Sequence, residues 1–145
     1  MTTPASDVLT ALRSLRQSRR FQPTPIGRQE LEQLLEVARW TGSSKNSQPW
    51  HLVVVTDPAT NATLAECGAF AGFLEGVAVS IVVAIEGEGR AAAYDDGRLQ
   101  ERVMLAASAL GLGSGTAWFS DGESRQRVRD LLDLPARFEP WSAIG

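Results

Sequence analysis

Two polar stretches hold residues whose types and spacing could do chemistry. The first is Arg16-Gln17-Ser18-Arg19-Arg20-Phe21, just ahead of Pro23-x-Pro25-Ile26. Several guanidinium groups close together suit a phosphate, because the planar fork gives bidentate, charge-assisted hydrogen bonds. A solvated helix end accounts for the same run equally well. The second is Ser43-Ser44-Lys45-Asn46-Ser47-Gln48-Pro49-Trp50. Its hydroxyl and amide groups can serve the polar edge of a heteroaromatic ring. A turn with side-chain caps is the plainer reading. Other candidates reduce to structure. Gly111-x-Gly113-x-Gly115 would need a strand before it and a helix after it to bind a dinucleotide. Here the expected order is the reverse, so the glycines read as a helix stop. Asp95-Asp96 reads as negative charge at a helix N-terminus. Cys67 and His51 are the single cysteine and histidine, which leaves no intrachain disulfide and no metal cluster. Cys67 reads as a small buried residue, and nothing near His51 marks it as a base.

The elements that must position these residues follow from periodicity and end signals. A first helix is expected from a cap at Ser6, with Val8, Leu12 and Leu15 on one face. Pro23 and Pro25 then force extended chain. A second helix starts after Gly27 and buries Leu31, Leu34, Leu35 and Ala38, spaced i, i+3, i+4, i+7. A strand over 52–56 follows the polar loop. Asp57-Pro58 opens a helix that runs to Cys67 or Gly68. The Val/Ile-rich run 77–85 reads as a central strand covered on both faces. Residues 87–94 read as a loop, and Asp95 or Asp96 opens a long helix to Leu110. A short strand is expected over 116–119. The spacing of a capping box at Ser120-Asp121-Gly122-Glu123 precedes a helix that Pro135 terminates. A last strand opens at Trp141. The fold class is α+β, with helices around a small central sheet in a single domain over 1–145.

Composition narrows the function classes. Hydrophobic residues are 43% and charged residues 21% of 145, which is ordinary for a soluble globular chain. No apolar run reaches the length of a membrane span, and the first residues lack the pattern of a secretory signal. The expected compartment is therefore the cytoplasm. The net charge of −3 hides a positive first third, centred on Arg13, Arg16, Arg19 and Arg20, in an otherwise acidic chain. That suggests a local anionic ligand, or a solvated helix end, and not the broad basic face nucleic acid requires.

Taken together, the two polar stretches resemble the nitroreductase family of FMN enzymes. The matching features are the Arg-rich helix end with Phe21, the Pro25-Ile26 step and the amphipathic helix 31–40. Then come the Ser-Ser-x-Asn-x-Gln-Pro-Trp loop and the valine-rich strand. Gly97-Arg98-Leu99-Gln100-Glu101-Arg102 with Met104-Leu105-Ala106-Ala107 looks like the family's long central helix. Leu131-Leu132-Asp133-Leu134-Pro135 and Ala143-Ile144-Gly145 look like its late helix and strand. The resemblance implies a homodimer with FMN in the interface. It implies that Arg16, Gln17 and Arg19 or Arg20 hold the phosphate and ribityl end. Ser43, Ser44 and Asn46, with Gln48 of the same loop, would come from the partner chain. Thr116, Ala117, Trp118 and Phe119 would lie along the isoalloxazine and offer backbone N–H groups. Trp118 and Phe119 either wall the acceptor pocket or pack in the core. The implied activity is ping-pong transfer of electrons from NAD(P)H to a small nitro- or quinone-like acceptor. Two departures stand out: Gln17 replaces a second Arg or a Ser, and the sequence stops where the family continues into an arm that embraces the partner. They leave a non-catalytic or degenerate flavin-binding dimer as the alternative.

Overall fold

The computed structural model describes residues 4–87 and 89–145, with side chains from residue 7. The helices are α1 (Pro4–Ser14), α2 (Arg28–Arg39), α3 (Pro58–Ala65), α4 (Arg90–Ala109) and α5 (Gly122–Leu131). The strands are β1 (Trp50–Val55), β2 (Ser80–Glu86), β3 (Thr116–Trp118) and β4 (Phe138–Ile144). They form one antiparallel sheet in the order β1-β2-β4-β3. Side chains alternate along β2, which is buried from Ser80 to Ile85. Ile81, Val83 and Ile85 pack with Leu34 and Ala38 of α2 and with Leu99, Val103 and Ala107 of α4. Val82 faces the other way, among Val55, Leu64, Leu74, Phe119 and Val128. The sheet is thus clothed on both faces, which is why β2 is a near-continuous apolar run. The α+β class expected from the sequence is the one observed.

Element boundaries moved for identifiable reasons. Helix α1 begins at Pro4, so Ser6 lies inside it and is not its cap. Met1, Thr2 and Thr3, read as lacking a signal, lie outside the described residues. Strand β1 begins at Trp50, where it pairs with Ile85. Strand β2 starts only at Ser80, because its partner β1 ends at Val55 before Asp57 caps α3. Strand β4 starts three residues before Trp141. Pro140 stands inside it, next to a register shift between Val83 and Ala84 that accommodates a residue without an N–H. Helix α5 is capped by Asp121, whose carboxylate accepts the Ser124 N–H at 2.7 Å, and not through the Ser120–Glu123 pair. The end of α4 is as expected: Gly111 has φ 75°, its N–H reaches the Ser108 carbonyl and the Leu112 N–H reaches that of Ala107.

The largest correction concerns Asp95 and Asp96. Helix α4 starts at Arg90, drawn out by the strong helix formers Ala91-Ala92-Ala93, so residues 90–94 are helical and the two acids lie mid-helix. Both are buried. Asp96 accepts the Ser142 hydroxyl at 2.6 Å and a Gln100 amide N–H. Burial pushes its carboxyl from 3.8 up to about 6, against the opposing pull of those two donors. A raised folded value means ionisation costs stability. The cost accrues as pH rises from about 4 to about 6, is complete above that, and amounts to about 3 kcal/mol. Asp96→Asn is therefore expected to stabilise the protein by about 1–3 kcal/mol near pH 7.5. Urea titrations across pH should show the gain vanishing near pH 4. A gain independent of pH would contradict this origin.

Candidate functional site

After α1 the 16–21 segment docks on residues 113–116 at the β3 edge of the sheet. The Ser18 N–H donates to the Ser114 carbonyl at 2.7 Å, and the Thr116 N–H donates to Gln17 Oε1 at 3.2 Å. The approach is this close because position 115 is glycine. A Cβ there would lie 2.4 Å from the Ser18 carbonyl oxygen and 2.3 Å from Arg19 Nη1. The glycine run is thus both a helix stop and a cradle. Gly115→Ala must push the Ser18 backbone away, at an expected cost of about 1–3 kcal/mol. A thermal melt as high as the parent's would refute the cradle.

Arg16, Arg19 and Arg20 are exposed. Arg16 Nη1 donates to the Arg13 and Leu15 carbonyls, and Arg19 lies over the Phe73 ring at 4.5 Å. Among the described residues none of the three has a carboxylate within ion-pair reach. Arg28, Arg39, Arg98, Arg125, Arg127 and Arg129 each have one. Beside Arg20 opens a cleft of about 510 Å³ with an apolar floor that includes Ile26, Leu34, Val79 and Ile144.

Among the described residues strand β3 pairs only with β4, and beyond Thr116, whose N–H is bound to Gln17, its other edge is open. Ala117 and Phe119 point into the core, and the Phe119 N–H is bound to the Trp141 carbonyl at 2.9 Å. The two aromatics therefore part company: Phe119 is core, while Trp118 is 59% exposed. Amides alternate between the two edges of an antiparallel strand, so the Trp118 N–H lies on the open edge with that of Thr116.

The 43–48 loop is a 3₁₀ turn at Ser44–Asn46 with Lys45, Asn46 and Gln48 at φ 55°, 53° and 48°. Ser43 Oγ accepts the Gln48 N–H at 2.8 Å, and Gln48 Nε2 donates to Asn46 Oδ1 at 3.1 Å. Asp95 accepts the Ser44 N–H and hydroxyl. The loop leads into Trp50, opposite Ile85, whereas Thr116 is opposite Ile144, itself opposite Ile81. The loop and the arginine cluster therefore occupy diagonal corners of the sheet. Three strand spacings and four residues separate Trp50 from Thr116, about 20 Å.

Of the candidate residues, Arg16, Gln17, Arg19, Thr116 and Trp118 come together, and Ser43, Ser44, Asn46 and Gln48 form a second group apart from them. Sequence reasoning missed Ser18, Phe73 and Asp95. The Ala91–Ala93 run ahead of Asp95 was the available signal that α4 begins earlier. Cys67 is buried, and burial pushes its thiol up, as suits an unreactive side chain. Among the described residues no three His, Cys, Asp or Glu side chains gather as metal ligands, and no helix is long and apolar enough to cross a membrane.

Comparison with known proteins agrees with this architecture. The model of the nitroreductase family matches residues 12–71, which include both polar stretches. A protein of Thermus thermophilus named NADH dehydrogenase is 32% identical over 144 residues, spanning 92% of this chain and 70% of that one. An FMN-dependent nitroreductase from Clostridium difficile superposes with TM-score 0.87 at 23% identity, over 94% of this chain and 84% of that one. Nitroreductase A from Vibrio parahaemolyticus superposes with TM-score 0.83 at 24% identity, over 94% and 65%. The chain belongs to the nitroreductase family of oxidoreductases.

Proposed function

We propose that the chain is an FMN-dependent oxidoreductase that takes electrons from NAD(P)H and passes them to a small nitro- or quinone-like acceptor, working in the cytoplasm as a homodimer. The observation that carries this reading is the placement of two polar groups at diagonal corners of the sheet. One chain presents a phosphate-binding corner and, elsewhere, a shaped polar loop. Two copies can bring the loop of one to the corner of the other. The outer face of α1, where Val8, Leu9 and Leu12 are 50–59% exposed, is apolar surface that such pairing would cover.

The donor set fits FMN. Three guanidinium groups without a carboxylate partner among the described residues suit its phosphate. Gln17 spends its Oε1 on Thr116, leaving Nε2 to donate to a hydroxyl. The open-edge amide of Trp118 is a fixed dipole for a ring nitrogen or carbonyl, and the exposed indole is a wall beside it. Ser43 Oγ already accepts one hydrogen bond, so its own proton remains free to be donated. When bound, FMN supplies the redox chemistry, and the protein supplies position and electrostatics. No protein acid or base is required.

Adding FMN to the purified protein, removing the excess and recording the visible spectrum tests this. One flavin per chain is expected, followed by NAD(P)H oxidation that accelerates with a nitroaromatic or quinone acceptor. Parallel double-reciprocal plots would mark the ping-pong order. A colourless protein would overturn the reading.

A further inference from the structure

We infer that Asp95 is a positioning residue for the 43–48 loop, fixing the shape in which the loop offers its polar side chains. Its relevance to the cofactor rests on the function proposed above; its hold on the loop does not. The loop needs a holder. Lys45, Asn46 and Gln48 all lie in the left-handed region, which Asn tolerates but which costs Lys45 and Gln48 energy. Such a turn persists only where surrounding contacts outweigh the strain.

Most of the loop's hydrogen bonds are internal. The Asn46 and Ser47 N–H groups donate to the Ser43 and Ser44 carbonyls, and the Ser47 hydroxyl donates to the Ser44 carbonyl at 2.9 Å. These close the turn on itself without fixing it to the protein. Among the described residues, the bonds from 43–48 to the rest of the chain end on Asp95. The Ser44 N–H lies 3.1 Å from both carboxylate oxygens, and the Ser44 hydroxyl donates to Oδ1 at 3.3 Å. Asp95 is 2% exposed and sits in the second turn of α4. Arg98 braces it from the next turn, Nη1 at 3.9 Å, and lies against Gly42 at the entry to the loop. A buried carboxylate is an acceptor only, so it fixes which way the Ser44 N–H must point. This explains a buried acid beyond the first turn of a helix, where the helix dipole gives it little benefit.

The test compares Asp95→Ala, Asp95→Asn and Asp96→Asn in the full chain. Amide hydrogen exchange is read on the cofactor-free protein, and FMN Kd is read by fluorescence. In Asp95→Ala, exchange at Ser44, Asn46 and Ser47 should accelerate about 100-fold while the rest of α4 keeps its protection, and Kd should rise at least about tenfold. Asp95→Asn keeps one acceptor oxygen and should restore most of both. Asp96→Asn, equally buried but away from the loop, should change neither. If Asp95→Ala does not fold, a smaller acceleration in Asp95→Asn, confined to the loop, supports the assignment. Unchanged exchange at Ser44 in the Ala variant overturns it, or in the Asn variant where the Ala variant does not fold; loss of protection spread evenly along α4 overturns it as well. Loosened loop amides with unchanged Kd overturn the link to the cofactor. If the parent chain takes up no FMN, the proposed function fails, while Ser44 exchange still decides the role of Asp95.

Discussion

Replacing Arg16 and Arg19 together by alanine is expected to weaken FMN binding by roughly 10²–10⁴-fold with the fold intact. Each charge-assisted hydrogen bond to a phosphate contributes about 1.5–3 kcal/mol, so two account for that range. The fold should survive because both side chains are exposed and neither neutralises a carboxylate among the described residues. The structural loss is small: the Arg16 bonds to the Arg13 and Leu15 carbonyls at the end of α1, the Arg19 bond to the Ser18 carbonyl and the Arg19 contact with Phe73. Lysines at both positions should restore part of the affinity, since an ammonium keeps the charge but lacks the bidentate fork. Fluorescence titration gives the Kd, and circular dichroism checks the fold. Stoichiometric flavin in the double alanine variant would mean that the phosphate sits elsewhere.

The largest expected loss of stability lies across the sheet. Glu139 of β4 is held between Arg125 and Arg129 of α5, with Arg125 Nε 2.6 Å from Oε1 and Arg129 Nη2 on Oε2. The Arg125 contact is ionic and not an aligned hydrogen bond. Arg125 also lies over the Trp141 ring at 5.0 Å, so α5 is fastened to β4 by charge and stacking together. Glu139→Ala removes the one acid and leaves two poorly solvated guanidinium groups facing each other. Breaking a fully buried pair costs about 3–5 kcal/mol. These side chains keep 16–20% exposure, so about 2–4 kcal/mol is expected here. Urea unfolding measures it, and Glu139→Gln should lose less because it still accepts hydrogen bonds. A loss below about 0.5 kcal/mol would place the cluster with ordinary surface pairs.

How much was legible in the sequence depended on whether the signal was local. The amphipathic face of α2, the Asp57-Pro58 start of α3, the apolar run of β2 and the glycine stop of α4 are all written in neighbouring residues. Each was read with the right type. The misread boundaries are those where a distant partner decides. Pro140 breaks strands by itself, but here it sits beside a register shift opposite Val83 and Ala84. Asp95 and Asp96 resemble a helix start until Ser44 and Ser142 arrive as their donors. The site shows the same division. The residue types for an anion and for a polar ring edge were legible, because guanidinium forks and clustered amides declare themselves. Their separation to opposite corners of the sheet was not, because strand order is a property of pairing. Nor did the sequence tell Trp118 from Phe119, which only the alternation of β3 separates into exposed and core.

The most direct test of a cofactor site shared between two copies is flavin content after mixing two defective chains. One chain carries Arg16→Ala with Arg19→Ala and keeps its loop. The other carries Ser43→Ala with Asn46→Ala and keeps its arginines. Each alone is expected to hold little FMN. A shared site predicts that mixed dimers regain about one flavin per pair of chains, because one of their two sites then combines intact arginines with an intact loop. Mixed dimers that remain as empty as their parents would contradict it and place both groups at a site within a single chain.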